Sequence, residues 1–375
     1  MFTVVVQFSG QIGGILPVHR NPEVAITFHH KVKNYNKLET LGDNGKTDTQ
    51  KIMEEEWGKL PGPVVKPFID KLVIIADVPS IEVGIEIHKA VWANHEDTDA
   101  YKGTTVKAPK PSGYARAWRL ALPSLELKSK RWPHLSYAYN KLNEKEFSAT
   151  RLRLEFVPVD LGSQGMSELD AYLSANVPDG WEFFMMLGKV TRIDVAVDLP
   201  DLKMDDFHYL HPQGISARDW RSDGRLETFL AGKKGKQTRV YDRGAKRIAH
   251  KSDPTGKAGV RIERVLMKQK KLTMANLAEL TNPLTDFTLV ERCPGPPRGE
   301  KKPYIWDLFM SAANQVSLTQ ALALLPTEKR TLYRKHLKKH VQPWWNPEES
   351  WKHWPAMLES LGMVLPAKSV SPPKK

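Results

Sequence analysis

The stretch Thr191-Arg-Ile-Asp-Val-Ala-Val-Asp-Leu-Pro200 alternates apolar and polar side chains, the pattern of a half-buried β-strand. Ile193, Val195, Val197 and Leu199 share one face; Asp194, Ala196 and Asp198 share the other. Two later segments have the same character. In Thr238-Arg-Val-Tyr-Asp-Arg243, Arg239, Tyr241 and Arg243 lie opposite Val240, and Val260-Arg-Ile-Glu-Arg-Val265 sets Arg261 and Glu263 opposite Ile262. If these strands are neighbours in one sheet, their polar faces gather two aspartates, a glutamate and a tyrosine among arginines. That combination suits phosphodiester chemistry through a metal ion and a tyrosine nucleophile.

Working outward, Leu226 to Ala231 and Gln237 to Arg243 flank Gly232-Lys-Lys-Gly-Lys236, a hairpin signal with Gly235 placed for a left-handed backbone. Upstream, the pattern predicts strands over 71–76, 82–87, 114–123, 134–140 and 150–157, and a helix from Met166 through Ala175. Residues 201–222 read as irregular or briefly helical, 244–259 as a loop, and Thr273 to Leu280 as a helix ending at Asn282-Pro283. Residues 291–303 have a linker's Pro/Gly composition. Beyond them lie apolar helical spacing over 304–325 and a basic helix from Thr327 to His340. Trp344, Trp345, Trp351 and Trp354 then cluster, more often a packing staple than a base-stacking platform.

The fold class expected is α+β: a central, mostly antiparallel sheet with flanking helices carries the active site, and the C-terminal part is mainly helical. The division is an N-terminal extension (1–65), a catalytic nicking and DNA-binding domain (66–290), a linker (291–303) and a basic, Trp-rich region (304–375). A chain of 375 residues with 41% apolar content and 11 Trp has ample material for real cores. Cys293 is the lone cysteine, which rules out an internal disulfide framework and fits a reducing cytosol. The N-terminus lacks a secretory pattern, and no stretch approaches a membrane helix, so a cytoplasmic protein without membrane partners is expected.

Net charge is +13, which points to a polyanionic partner. Residues 37–100 hold 13 acidic and 7 basic residues, net −6, whereas 231–271 hold 14 basic and 3 acidic, net +11. The excess therefore surrounds Tyr241 and Glu263 in sequence. A charge run is usually a solvated face, but arginines in this one fork onto phosphates, which favours nucleic acid. Lys233, Lys234, Lys236, Arg247, Arg261 and Arg264 are the candidate DNA contacts.

Paired acids on an exposed strand can simply be solvated or salt-bridged. Aspartate is disfavoured in strands, however, and a carboxylate among Val, Ala and Leu is costly unless it binds a cation. Asp194, Glu263 and Asp198 are accordingly the candidate ligands of Mg2+ or Mn2+, the hard cations that oxygen donors prefer. Tyr241 could equally be a half-buried strand aromatic. Arg239 and Arg243 on its face would favour the phenolate and hold a phosphate, which makes these three the catalytic candidates. No Gly-x-x-x-x-Gly-Lys-Ser/Thr loop is present: Gly45-Lys46-Thr47 comes closest, but Thr40 stands where the first glycine belongs. The 12 histidines include no His-apolar-His pair.

In order and spacing, Arg192-Ile-Asp-Val-Ala-Val-Asp198, the Gly-Lys hairpin into Arg239-Val-Tyr-Asp-Arg243, and Arg261-Ile-Glu-Arg264 resemble the core of the Rep_trans-type rolling-circle replication initiators of plasmids and filamentous phages. Arg151-Leu-Arg-Leu-Glu-Phe156 and Asn282-Pro283 add to the resemblance, which spans roughly 68–290 and is strongest over 188–284. It implies a protein that recognises an origin as single-stranded or hairpin-extruded DNA and nicks one strand. Such a protein stays attached through a 5′-phosphotyrosine while the 3′-OH primes synthesis. Tyr241 matches the nucleophile, Asp194 and Glu263 the metal carboxylates, and Asp198 less closely. A host helicase is an implied partner, and a homodimer is compatible with it. Gly244-Ala-Lys246 departs from the basic-then-acidic pair the family often carries after its Tyr-Asp. The competing reading is a non-catalytic origin-binding or regulatory protein using the same basic surface.

Overall fold

The computed structural model describes residues 65–95, 105–125, 131–212, 215–222, 225–244, 259–268 and 271–364. The chain divides into two compact units, Met1–Leu60 and Pro61–Lys375, and every described residue belongs to the second. Its frame is one ten-stranded sheet. The strands are β1 (Phe68–Asp77), β2 (Thr105–Lys107), β3 (Arg116–Leu120), β4 (His134–Lys141), β5 (Phe147–Phe156) and β6 (Lys189–Pro200), followed by β8 (Ala217–Ser222), β9 (Arg225–Lys233), β10 (Lys236–Asp242) and β11 (Gly259–Met267). Their order is β2-β3-β4-β5-β1-β6-β11-β10-β9-β8, every neighbouring pair antiparallel. A separate pair joins β7 (Phe207–Leu210) to β12 (Thr288–Glu291). This is the α+β architecture expected, with the three chemistry-bearing segments side by side as β6-β11-β10.

The alternation in β6 sorts the sheet into two faces. Ile193 and Val195 enter an apolar core formed with β1, β4 and β5 and with the helices α1 (Ile81–His95), α2 (Pro158–Ser174) and α3 (Gly180–Leu187). Val197 and Leu199 continue into a second core with Val240, Ile262, Phe229 and the β7/β12 residues Phe207, Tyr209 and Leu289. Burying this face supplies the main driving force for the layer, at about 25 cal/mol per Å² of apolar area. The opposite face of β6-β11-β10 keeps the charged residues.

Of residues 303–363, α4 (Pro303–Gln315), α5 (Leu318–Ala323) and α6 (Thr327–Leu337) build a third core with Leu210 and Val290, while α7 (Pro347–Trp351) and α8 (Trp354–Ser360) pack on the first. The tryptophans act as staples. Trp306 donates to Pro294 O at 2.9 Å, Trp345 to Phe287 O at 3.1 Å and Trp354 to Leu277 O at 3.2 Å. Among the described residues no helix is long and apolar enough to cross a membrane.

Three local expectations fail for identifiable reasons. Residues 82–87 are helical, not a strand. The Ser80 hydroxyl accepts from Val83 N, and the buried positions 84, 87, 88 and 91 recur at helical spacing. Gly84 lets α1 approach β5, since a Cβ there would lie 2.4 Å from Ala149 O. Thr273 to Leu280 forms only a 3-10 turn at Leu277–Glu279. Thr273 and Asn276 exchange side-chain-to-backbone bonds of 2.8 and 3.3 Å that compete with helical pairing. Residues 201–222, expected to be irregular, contain β7 and β8; the partner of β7 lies some eighty residues downstream, beyond any local pattern.

Candidate functional site

The register builds the site. Across β6 and β11, Asp198 faces Arg261 and Ala196 faces Glu263; across β11 and β10, Glu263 faces Arg239 and Arg261 faces Tyr241. Opposed residues of paired strands share a face. Asp194, Asp198, Glu263, Arg239, Tyr241 and Arg261 therefore stand on the single polar face, with Glu263 diagonal to both aspartates.

Each carboxylate meets an arginine. Asp194, 1% exposed, accepts from Arg192 Nε at 2.8 Å and Nη2 at 2.5 Å, two residues back on its own strand. Glu263, 3% exposed, is joined by Arg239 Nη1 at 3.2 Å, while Arg239 Nε donates to Gln237 Oε1 at 2.9 Å. Asp198 takes a fork from Arg261, Nε to Oδ1 at 2.7 Å and Nη2 to Oδ2 at 3.0 Å, and a further bond from Arg243 Nη1 at 2.9 Å. Arginine thus supplies the positive charge that a buried carboxylate requires.

Arg261 is the hub. Besides Asp198 it bonds Asp70 Oδ1 through Nη1 at 2.5 Å, lies 4.9 Å over the Phe68 ring, and shares a side-chain hydrogen bond with Tyr241. Burial pulls its pKa down, but the bond to Asp198 and the surrounding charges outweigh that and raise it. Expected as a DNA contact, it is instead engaged with protein groups on every side described.

Tyr241 is buried, and burial pushes its phenol well above the ordinary tyrosine value. Arg261 opposes the shift, while Asp70 and Glu263 add to it. The expectation that Arg239 and Arg243 favour the phenolate is corrected on two counts: the bonded arginine is Arg261, and desolvation prevails.

The remaining candidates are dispersed. Lys233, Lys234 and Lys236 are exposed at the β9–β10 hairpin, whose turn uses Gly235 at φ +101°. Lys236 pairs with Asp286 at 3.2 Å. Tyr241 is five steps along β10 from Lys236, about 17 Å at 3.3 Å per residue. The hairpin lysines therefore stand away from the tyrosine, while Arg239, Arg243 and Arg261 of the same basic stretch share its face. Arg264 lies on the opposite face, 5% exposed, donating to Pro283 O at 2.8 Å and pairing with Asp286 at 3.2 Å. It tethers the 283–286 turn and is removed from the DNA contacts. Arg247 lies outside the described residues.

Three participants were missed by sequence reasoning. Arg192 carried a signal, its position two before Asp194 on an alternating strand. Phe68 and Asp70 carried none: the strand begins three residues before its apolar run, and a β-bulge between Ile69 and Lys71 adds Asp70 as the extra residue.

In donor type, Asp194 and Glu263 suit a hard cation. Among the described residues, however, no group of three His, Cys, Asp or Glu side chains is arranged to hold a metal, and both carboxylates are claimed by arginines.

No family model and no curated protein matches the chain. Among solved structures, it is similar to the rolling circle replication initiator protein from Geobacillus stearothermophilus. That match has 15% identity, covers 68% of this chain and 98% of the other, and has a TM-score of 0.33. A TM-score this low carries no argument about fold or function, so the functional reading rests on this chain's own residues.

Proposed function

We propose that the polar face of β6-β11-β10 cleaves and rejoins a DNA strand with Tyr241 as nucleophile, in the role of a replication initiator that nicks a plasmid or phage origin. The observation that carries this reading is the register, which sets Tyr241 opposite Arg261 and beside Arg239 on one face with Asp194, Glu263 and Asp198. Arginine forks match phosphate as well as carboxylate, so an incoming phosphodiester can take over Arg239 or Arg243. The Tyr241 oxygen then bonds to phosphorus and the bond from phosphorus to the 3′ oxygen breaks. The phenolic proton passes to a nearby carboxylate, Glu263 or Asp70, which returns it to the departing 3′ oxygen, leaving a 3′-OH and the carboxylate ionised again. Attack by a 3′-OH on the phosphotyrosine reverses the step and needs no nucleotide cofactor.

Mg2+ or Mn2+ belongs to the proposal through Asp194 and Glu263, which would hold it once released from Arg192 and Arg239. The cation would supply polarisation of the phosphate. Single-stranded or hairpin-extruded origin DNA is the proposed substrate; a host helicase and a second copy of the chain are the proposed partners.

A second reading, a non-catalytic origin-binding protein, is favoured by one observation: Tyr241 is buried with its phenol hard to ionise. Incubation with single-stranded origin DNA and Mn2+, followed by a denaturing gel and peptide mapping, separates the two. The first reading expects a covalent adduct on Tyr241, lost in Tyr241→Phe while DNA binding persists. An adduct that survives the substitution removes Tyr241 from the role, and salt-sensitive binding without any adduct establishes the second reading.

A further inference from the structure

The polar face continues beyond β1 onto β5, β4 and β3, where the register places Arg153 opposite Ser136 and Ser136 opposite Ala117. His134 is the next residue on the same face of β4, opposite Glu155. Ser136 is 0% exposed, and its hydroxyl has no hydrogen-bond partner among the described residues. Tyr114, His134 and Arg153 are half-buried, but His134 Nε2, Arg153 Nη1 and the Tyr114 hydroxyl are themselves buried atoms that likewise have no hydrogen-bond partner among the described residues. Tyr114 lies close enough to Arg151 and Arg153 for their charges to act on its phenol.

All four groups can donate a hydrogen bond, and both oxygens of the neighbouring Glu155 are already engaged. Glu155 takes Arg153 through Nη2 and also pairs with Lys71, leaving the second arm of the Arg153 fork unclaimed. Buried donors are almost always satisfied in native proteins, so four together without acceptors indicate a ligand that brings its own. Several donors around one arginine arm suit an oxyanion with tetrahedrally arranged oxygens.

We propose that Tyr114, His134, Ser136 and Arg153 form a second phosphoryl-oxyanion subsite. Its occupant is a backbone phosphate of the same strand that Tyr241 attacks, so the inference rests on the function proposed above. From β5 to β10 is four strand spacings, about 19 Å at 4.8 Å each, and the register sets Arg153 in the row of Lys189 but Tyr241 in that of Asp198, about 30 Å further along the strands, so the two sites stand about 35 Å apart on one sheet face. Entry requires the long Tyr114 and Arg153 side chains to yield.

The test uses the full chain in EDTA, a labelled single-stranded oligonucleotide read by fluorescence anisotropy, and thermal unfolding in parallel. Tyr114→Phe and Ser136→Ala should each weaken binding by about tenfold, the worth of one hydrogen bond to a charged group. Each should leave Tm unchanged or higher, because an unpartnered buried hydroxyl has been removed. A fall in Tm in both variants would mean the hydroxyls serve the fold, and overturns the proposal. Unchanged affinity in both overturns strand binding. The oxyanion site then stands only if inorganic phosphate raises the wild-type Tm and not that of Ser136→Ala, which assigns it to a free phosphate ion. The Tyr241 reading fails separately: an adduct persisting in Tyr241→Phe sinks that reading and leaves the affinity result standing.

Discussion

Arg261 and Asp198 face each other across β11 and β6 in a fork-to-carboxylate pair, with bonds of 2.7 and 3.0 Å. The same guanidinium bonds Asp70 and Tyr241 and covers the Phe68 ring, so one side chain fixes the tyrosine relative to two acids. Arg261→Ala leaves those acids without their shared partner and is expected to cost about 3 kcal/mol in denaturant unfolding. Arg261→Lys should recover only part of this, because an ammonium cannot fork. A lysine variant as stable as the wild type would remove the fork from the account.

Alkali gives a second expected outcome. Burial raises the phenol pKa of Tyr114, Tyr137, Tyr172, Tyr209, Tyr241 and Tyr333 above the ordinary value of 10.0. A folded pKa raised above the unfolded one contributes stability that is present below pH 10 and lost as pH rises past it. Spectrophotometric titration at high pH should therefore show these six of the ten tyrosines ionising only with unfolding. Early ionisation of all ten would contradict the burial described here.

In acid the sign reverses. Glu155 feels burial, which raises its pKa, but Lys71 and Arg153 prevail and hold it at about 2. A depressed folded pKa contributes stability that is present above the unfolded value of 4.5 and lost as pH falls toward 2. Allowing for its partial exposure, the contribution at neutral pH is about 2 kcal/mol. Glu155→Gln should lower stability at pH 7 and flatten the decline between pH 5 and pH 2; an unchanged acid limb would assign that decline to other carboxylates.

The chemistry-bearing strands were legible because their alternation is local: Ile193 to Leu199 and Arg239 to Arg243 each declare two faces without reference to any partner. That β6, β11 and β10 are neighbours was written nowhere in the sequence, and it took the register to place Tyr241 opposite Arg261. Glu82 to Ile87 misled because six residues fit both a strand and one side of a helix, and the decision fell to Ser80 and to buried positions further along. Asp70 was invisible since a bulge, not a motif, places it. The acids were legible as costly, and arginines stand against them in the structure. Arg192, two residues before Asp194, was the available clue.

Two sets among the basic residues of 231–271 have opposite expected behaviour. Lys233, Lys234 and Lys236 are exposed at the β9–β10 hairpin, where their charges are open to a polyanion. Replacing all three with Ala should weaken binding and reduce the log–log salt slope by up to about 3, with little change in thermal stability. Arg264 is buried on the other face, holding Pro283 O and Asp286. Arg264→Met should lower stability by about 2 kcal/mol, by freeing the 283–286 turn and leaving Pro283 O unpaired, with the salt slope unchanged. Titrating oligonucleotide binding against salt for both variants checks the division. A salt slope reduced in Arg264→Met, or unmoved in the triple lysine variant, would show that the faces are wrongly assigned.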